Sequence, residues 1–238
     1  MIGRIAAIWR HPVKSMRGEP LTAVELRWTG LAGDRQYGFL RPRDRSRAPW
    51  LTGRVLPQML LYRPQYAEPD NPRNSALRVH APDGSVFDIW DEALIRRIAD
   101  GAGQPVQLVR LGRGAFDQHP VSVISTSTLR RLERAYGSKV DLRRFRMNIV
   151  IETDPDADDL HWTGRTLAFG DAEAGPTVRI DEPNERCVMI TIDPDTAAQD
   201  PTLGKLVSDR FGNDVGHYGA PVRTGRLSAG DPVFLSNP

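Results

Sequence analysis

Leu77-Arg-Val-His80, then Ala81-Pro82-Asp83-Gly84, then Val86-Phe-Asp-Ile-Trp90 reads as two short strands joined by a tight turn. Pro82 presets the bend, and Gly84 supplies a positive φ that an L side chain resists. On the first arm apolar and polar residues alternate, the period of a sheet with one wet face. The same texture runs back toward the N-terminus. Ile2 to Trp9, Leu21 to Trp28, Tyr37 to Leu40 and Met59 to Tyr62 are short runs bounded by Pro, Gly or charge, and each predicts a strand. Past the hairpin, Asp91 to Ala99 predicts a helix with Leu94, Ile95 and Ile98 on one face, stopped at Gly101-Ala-Gly103. Val106 to Leu111 returns to strand.

Gly112-Arg-Gly114 marks a boundary between a first unit, 1–114, and a second, 115–238. The second opens with a strand, Val121 to Ile124. A helix then starts at Ser125-Thr-Ser-Thr128, places Leu129, Leu132 and Tyr136 on one side and ends at Gly137. Strands are expected at Met147 to Ile151, Leu167 to Phe169, Val178 to Ile180, Cys187 to Ile192 and Pro232 to Leu235, with one helix from Leu203 to Phe211. The expected fold is mainly β with some helices (α+β): two β-barrel-like halves sharing one interface.

Composition narrows the function. The 238 residues are 39% hydrophobic and 26% charged, which suits a globular protein rather than a disordered one. The net charge is +2 with the basic residues spread along the chain, which predicts no nucleic-acid partner. Three of the 32 basic residues are lysines, so each lysine draws scrutiny. The run Ile5 to Trp9 is too short for a signal segment, and no stretch reaches the roughly 20 apolar residues that span a bilayer. No membrane partner and a cytoplasmic, reducing location are expected, in line with a single cysteine.

That cysteine, Cys187, follows Arg186 and opens an apolar run that closes on Asp193-Pro194-Asp195. One sulfur builds no intrachain disulfide, tetrathiolate zinc site or iron–sulfur cluster. It is either a small buried hydrophobe or a thiolate that binds a soft metal or attacks a substrate. Asp154-Pro-Asp156-Ala-Asp158-Asp159 fails as a calcium loop, because Asp159 replaces the required Gly and Arg165 the bidentate Glu; it reads as a solvated acidic loop. Asp193-Pro194-Asp195 is first a turn. No dinucleotide fingerprint and no P-loop occur.

Two glycine- or proline-rich turns carry the chemistry an anion needs: His11-Pro-Val-Lys14-Ser15 and Gly30-Leu-Ala-Gly33-Asp34-Arg35. Backbone amides with Lys, Ser and Arg nearby would cradle a phosphate. Taken singly, each reads first as a turn with a surface charge. Arg146 and Asn148, two apart, would share one face of a strand.

Taken in order, Val13-Lys14-Ser15, Gly30-Leu-x-Gly-Asp34-Arg35, Phe145-Arg146-x-Asn148-Ile-Val, Arg186-Cys187-x-x-x-Thr191-Ile-Asp193 and the ending Gly216-His-Tyr218 with Gly230-Asp231-Pro-Val resemble one family. It is the molybdenum cofactor sulfurase C-terminal (MOSC) domain family, preceded by the N-terminal β-barrel that often accompanies it. Within the family the chain resembles the mitochondrial amidoxime-reducing component and its bacterial relatives. The resemblance implies a molybdenum cofactor (molybdopterin) whose metal takes Cys187 as its protein ligand and catalytic residue. Lys14, Ser15, Arg35, Arg146 and Asn148 would anchor the cofactor, with Tyr218 a further neighbour. The implied activity is reduction of a small N-hydroxylated substrate, with electrons from a separate ferredoxin- or flavin-type reductase. A sulfur carrier with a persulfide on Cys187, or a non-catalytic cofactor-binding module, are the other functions considered. Some relatives carry a C-terminal ferredoxin domain or an N-terminal membrane anchor, and neither is expected here. Glu185 stands where eukaryotic members commonly have a small residue, which would alter substrate access.

Overall fold

A computed structural model of the chain describes every residue except 47, 158, 237 and 238, so Asp158 of the rejected calcium loop lies outside the described residues. The first part of the chain forms β1 (Gly3–Arg10), β2 (Glu19–Leu21), β3 (Ala23–Arg27), β4 (Gly30–Leu31) and β5 (Tyr37–Leu40). It continues with β6 (Arg63–Tyr66), β7 (Leu77–His80), β8 (Val86–Asp88), helix α1 (Glu92–Ala102) and β9 (Gln107–Arg110). The second part forms β10 (Val121–Ser125), α2 (Thr126–Tyr136), β11 (Ile149–Thr153), β12 (Thr166–Phe169) and β13 (Thr177–Glu185). It ends with α3 (Pro201–Phe211), β14 (Asp214–Arg223), β15 (Gly225–Ser228) and β16 (Pro232–Ser236).

Seven strands, in the order β11-β10-β14-β13-β12-β16-β1, close into a barrel through a β1–β11 pairing, and β2 extends from β1. The interior is filled by period-2 alternation. Ile149, Ile151 and Val123 point into the barrel core with Ile5, Ile8, Leu167, Phe169, Val178 and Val233. Their neighbours Ile124 and Val150 point out, into a second core with Leu132 of α2 and Leu203 and Val207 of α3. A third core belongs to the first part of the chain, where Val13, Met16, Tyr37, Phe39, Leu77 and Leu94 pack among the small sheets β5-β9 and β6-β7-β8. The fold is mainly β, as expected, and the Pro82–Gly84 hairpin joins β7 to β8.

Strand pairing crosses position 114. β1 closes the barrel, and Val24, Leu26 and Leu31 add to the barrel core. The chain leaves the barrel after Arg10, returns to it for β2 to β4, and leaves again after Ala32. Both exits run side by side: Val13 bridges Tyr37, Lys14 N donates to Tyr37 O (2.8 Å) and Arg35 N to His11 O (2.7 Å). The two turns singled out for anion chemistry are these two exits, which puts them at the seam between the cores.

Four expectations are corrected. Met59 to Tyr62 is not a strand; Pro57, with its φ preset, starts a 3-10 helix, Pro57–Leu61. Cys187 to Ile192 is also no strand. β13 ends at Glu185, and Cys187 precedes a 3-10 helix, Val188–Thr191, because a short apolar run fits either a strand or a buried turn. Arg146 and Asn148 do not share a strand face, since Arg146 closes the 3-10 helix Leu142–Phe145 at φ 54° and β11 begins after Asn148. The fourth is an omission: β14, ten residues long, went unread because Gly216, Gly219 and Pro221 disguise it. Those glycines allow close pairing, as a Cβ on Gly219 would sit 2.3 Å from Arg179 O.

Candidate functional site

A cleft of about 770 Å³ opens at the seam. Lys14, Ser15, Arg35, Arg146, Cys187 and Tyr218 all line it, so the structure brings together six of the seven residues singled out in the sequence. Asn148 is the exception: it is buried beneath the cleft rather than in its wall.

The cleft floor is a cationic cradle. The Lys14 ammonium, 5% exposed, donates to Ala115 O (2.8 Å) and to the Asp117 carboxylate (2.7 Å). Arg35 hydrogen-bonds the buried Asp34 carboxylate through Nη1 and donates from Nη2 to Arg146 O (2.9 Å). Asp34 in turn accepts from His11 N (2.6 Å), which ties one exit strand to the other. Arg146 reaches Met16 O through Nη1 (2.5 Å), while its Nη2 has no protein acceptor. Asn148 lies under all of this. Its Oδ1 accepts from Ser122 N (3.1 Å), Ser122 Oγ (3.0 Å) and Arg35 Nη1 (3.3 Å), and its Nδ2 donates to Trp9 O (3.1 Å).

Ser15, Arg35 and Arg146 sit at φ 65°, 47° and 54°, three of the five non-glycine residues with positive φ among the described residues. Such conformations cost about 1 kcal/mol or more each and tend to cluster where side chains serve a ligand.

Burial, and then repulsion from Arg35, push the Arg146 guanidinium down to about 9. Burial likewise lowers Lys14; Asp117 opposes the shift and Arg35 and Arg146 add to it. Burial is the larger cause in both, and the mutual repulsion of the three cations adds to it, so a negative charge entering the cradle would offset both shifts. Asp117 already supplies one. Desolvation would raise its carboxyl, but Lys14, Arg35 and Arg146 hold it below the usual carboxylate range. Its side chain lines the cleft and is largely exposed, so water reaches it.

Cys187 is a half-buried free thiol on the cleft wall. Arg186, before it, turns inward: its guanidinium donates to Val215 O (2.8 Å from Nε) and Phe145 O (2.9 Å) and stacks 5.4 Å from the Phe145 ring. Arg186, just after β13, therefore ties the 3-10 helix Leu142–Phe145 to β14. Arg54, from the loop after β5, lines the same cleft, and interaction with the Cys187 sulfur raises its pKa. Tyr218, on β14 beside Ser122 and Glu182, completes the wall, its hydroxyl pushed up by burial.

Sequence reasoning missed Arg54, Asp117, Trp50 and Ser122, which line the same cleft. Each is a single residue in an irregular segment or an ordinary strand position, with no spacing to flag it. The Asp193-Pro194-Asp195 segment does not line the cleft. Asp193 accepts from the amides of Asp195 (3.0 Å) and Thr196 (2.9 Å) as a turn residue, and Asp195 pairs with Arg17 (2.8 Å). The acidic loop is not wholly solvated either: Asp159 is buried and accepts from Ser125, Thr128 and Arg131 (2.8 Å from the last). Among the described residues no cluster of His, Cys, Asp and Glu could hold a metal ion by itself, and no helix is long and apolar enough to cross a membrane.

Two buried histidines make an acid prediction. Burial, reinforced by Arg146 and Arg35, lowers His11 well below its ordinary value, and burial lowers His217. Folded-state values below the unfolded 6.5 mean that their stability contribution is complete above pH 6.5 and is lost as pH falls toward the folded values. Urea unfolding at pH 7.5 and 5.5 should show a lower midpoint at 5.5, with a slope approaching about 1.4 kcal/mol per pH unit for each histidine. Equal midpoints would mean that the two rings take up protons without cost in the fold.

A family model described as the MOSC domain matches residues 102–234, and one described as the MOSC N-terminal beta barrel domain matches residues 2–127. Mitochondrial amidoxime reducing component 2 of Bos taurus is 25% identical over 98% of this chain and 83% of its own length. Mitochondrial amidoxime-reducing component 1 of Homo sapiens is 25% identical, again over 98% and 83%. Among solved structures, the YuaD protein of Bacillus subtilis aligns over 99% of this chain and 96% of its own with a TM-score of 0.53 at 13% identity, a likeness of fold alone.

Proposed function

This chain belongs to the MOSC domain family, with the family's N-terminal β-barrel domain in front, and from that premise we propose that it is a molybdenum-cofactor oxidoreductase. We propose further that it reduces small N-hydroxylated substrates with electrons delivered by another protein. The observation that carries the reading is the convergence of an anion-hungry cradle and a lone half-buried thiol in one cleft.

The residues fit the implied group. A phosphate ester would answer the positive excess of Lys14, Arg35 and Arg146, and Arg146 Nη2 has a donor that no protein atom accepts. Thiolate is a soft ligand suited to molybdenum, and Cys187 is the single one the chain offers. A cleft of about 770 Å³ lies in the range of cofactor sites. Lys14, Ser15, Arg35 and Arg146 would hold the phosphate and pterin edges, Tyr218 would wall the cofactor, and Asn148 would brace Arg35 from below. When bound, the cofactor supplies the two-electron exchange of the reduction; the chain supplies binding, orientation and a partly dry wall. One cysteine and no dinucleotide fingerprint favour a separate electron donor. The amidoxime-reducing names of the relatives support the substrate class.

The test is elemental analysis and pterin fluorescence on protein made in a cofactor-competent host, with amidoxime reduction assayed with and without an added reductase. Bound molybdenum and pterin, with turnover only when the reductase is present, is the expected result. A metal-free protein bearing a Cys187 persulfide would overturn it in favour of a sulfur carrier.

A further inference from the structure

The segment after β5 stands at the mouth of the cleft. Leu40 pairs with Trp50, Arg41 N donates to Pro49 O (2.8 Å) and Asp44 N donates to Arg41 O (2.9 Å), so residues 41–49 form a loop clipped at its base. Arg41, Ala48 and Trp50 line the cleft. Arg43 and Arg45 are exposed, and neither side chain makes a hydrogen bond or ion pair among the described residues. The turn that follows packs on the segment after Cys187. Val55 N and Leu56 N both donate to Thr52 O (2.9 and 3.0 Å), and a Cβ on Gly53 would fall 2.7 Å from Met189 Cε. Val55, two residues past Gly53, and Val188, one before Met189, are exposed there (43% and 49%). Residues 41–54 hold five arginines against one aspartate, a local excess above the +2 of the whole chain.

We infer that this face, an exposed apolar pair beside Cys187 next to an arginine-rich loop, is where the electron donor docks, and that the donor is a small acidic carrier protein bringing one electron at a time. The inference rests on the functional reading above and names the kind of partner that reading requires. Reducing an N–OH group to N–H and water consumes two electrons and two protons. The carrier is oxidised by one electron at each of two visits, and the protons come from water. Electron transfer weakens steeply with distance, and Val188 is exposed directly beside Cys187, so a carrier seated on it is one residue from the sulfur. A carrier that must leave between visits needs a small interface, apolar at its centre and charged at its rim. Unpaired arginines beside the valines speed encounter with an acidic surface, and as rim charges they act on the rate of arrival more than on the strength of the complex.

The probe is a plant-type [2Fe–2S] ferredoxin, an acidic one-electron carrier, set against wild type and R43E/R45E. A third protein, R96E/R134E, makes the same change of net charge at exposed positions of α1 and α2. Arg43 and Arg45 do not line the cleft, so molybdenum content, melting temperature and turnover with reduced methyl viologen should match wild type. Oxidised ferredoxin should bind metal-free R43E/R45E about tenfold more weakly than it binds metal-free wild type or R96E/R134E. KM for reduced ferredoxin should rise by about the same factor, with kcat retained. Raising salt from about 50 to about 300 mM should weaken wild-type binding and change that of R43E/R45E little. R43Q/R45Q should fall between the two. Equal affinity in wild type and R43E/R45E overturns the inference, as do equal losses in both double variants, or wild type that binds anionic lipid vesicles and not ferredoxin. Wild-type protein with no molybdenum and no viologen-driven turnover overturns the functional reading instead, and ferredoxin binding to the metal-free chain still decides the docking face.

Discussion

Cys187→Ala should purify as a folded protein that retains no molybdenum. The sulfur is the single thiol in the chain, and among the described residues no cluster of His, Asp and Glu stands ready to hold a metal ion in its place. Hydrogen bonds from the cradle would still hold a phosphate and a pterin, but without a protein bond to the metal. Loss of the side chain should cost little stability, within about 1 kcal/mol, because Cys187 is half-buried and belongs to no core cluster. Molybdenum content and a urea midpoint on the same preparation separate the two effects. Wild-type metal content in the alanine variant would remove Cys187 from the metal's coordination; a collapsed midpoint would make it a packing residue instead.

Asn148→Ala should produce the larger loss of stability, about 2–4 kcal/mol, before any cofactor is considered. Both ends of the amide are engaged. Its oxygen accepts from the Ser122 amide, the Ser122 hydroxyl and Arg35, and its nitrogen donates to Trp9 O. Alanine leaves the Ser122 amide and the Trp9 carbonyl without those partners inside a buried site, and unpaired buried groups cost about 1–3 kcal/mol each. Arg35 also loses one of the supports that aim its fork. Denaturant unfolding of metal-free protein isolates the structural share, and cofactor content then reports the rest. A change below about 0.5 kcal/mol in the metal-free chain would show that Asn148 braces nothing.

The cradle was readable from sequence because its residues lie in turns whose composition is unusual: a rare lysine after a strand, and a glycine-flexed loop that ends in arginine. The sequence places Asn148 with the cradle residues; in the fold its amide lies beneath the cleft on Arg35, a position that depends on which way the side chain faces after Arg146 has taken a left-handed turn. Arg54 and Asp117 carried no signal at all. Arg54 reaches the site because the first part of the chain leaves the barrel wall twice and packs beside it, and Asp117 because the irregular segment between β9 and β10 passes the same seam; long-range packing of that kind leaves no local pattern. β14 was hidden for the opposite reason: the glycines and proline that let it pair closely and bulge are the residues that ordinarily argue against a strand.

The left-handed residues Ser15, Arg35 and Arg146 set activity against robustness. Glycine at any of the three would relax the backbone by about 1 kcal/mol, and at 146 it would also remove a guanidinium that burial and Arg35 resist. A screen of this chain for thermal tolerance alone should therefore enrich glycine at 15 and 146 and return hardened proteins that no longer bind an anion. Screening for heat resistance while demanding anion binding should leave those positions untouched and place its gains far from the seam.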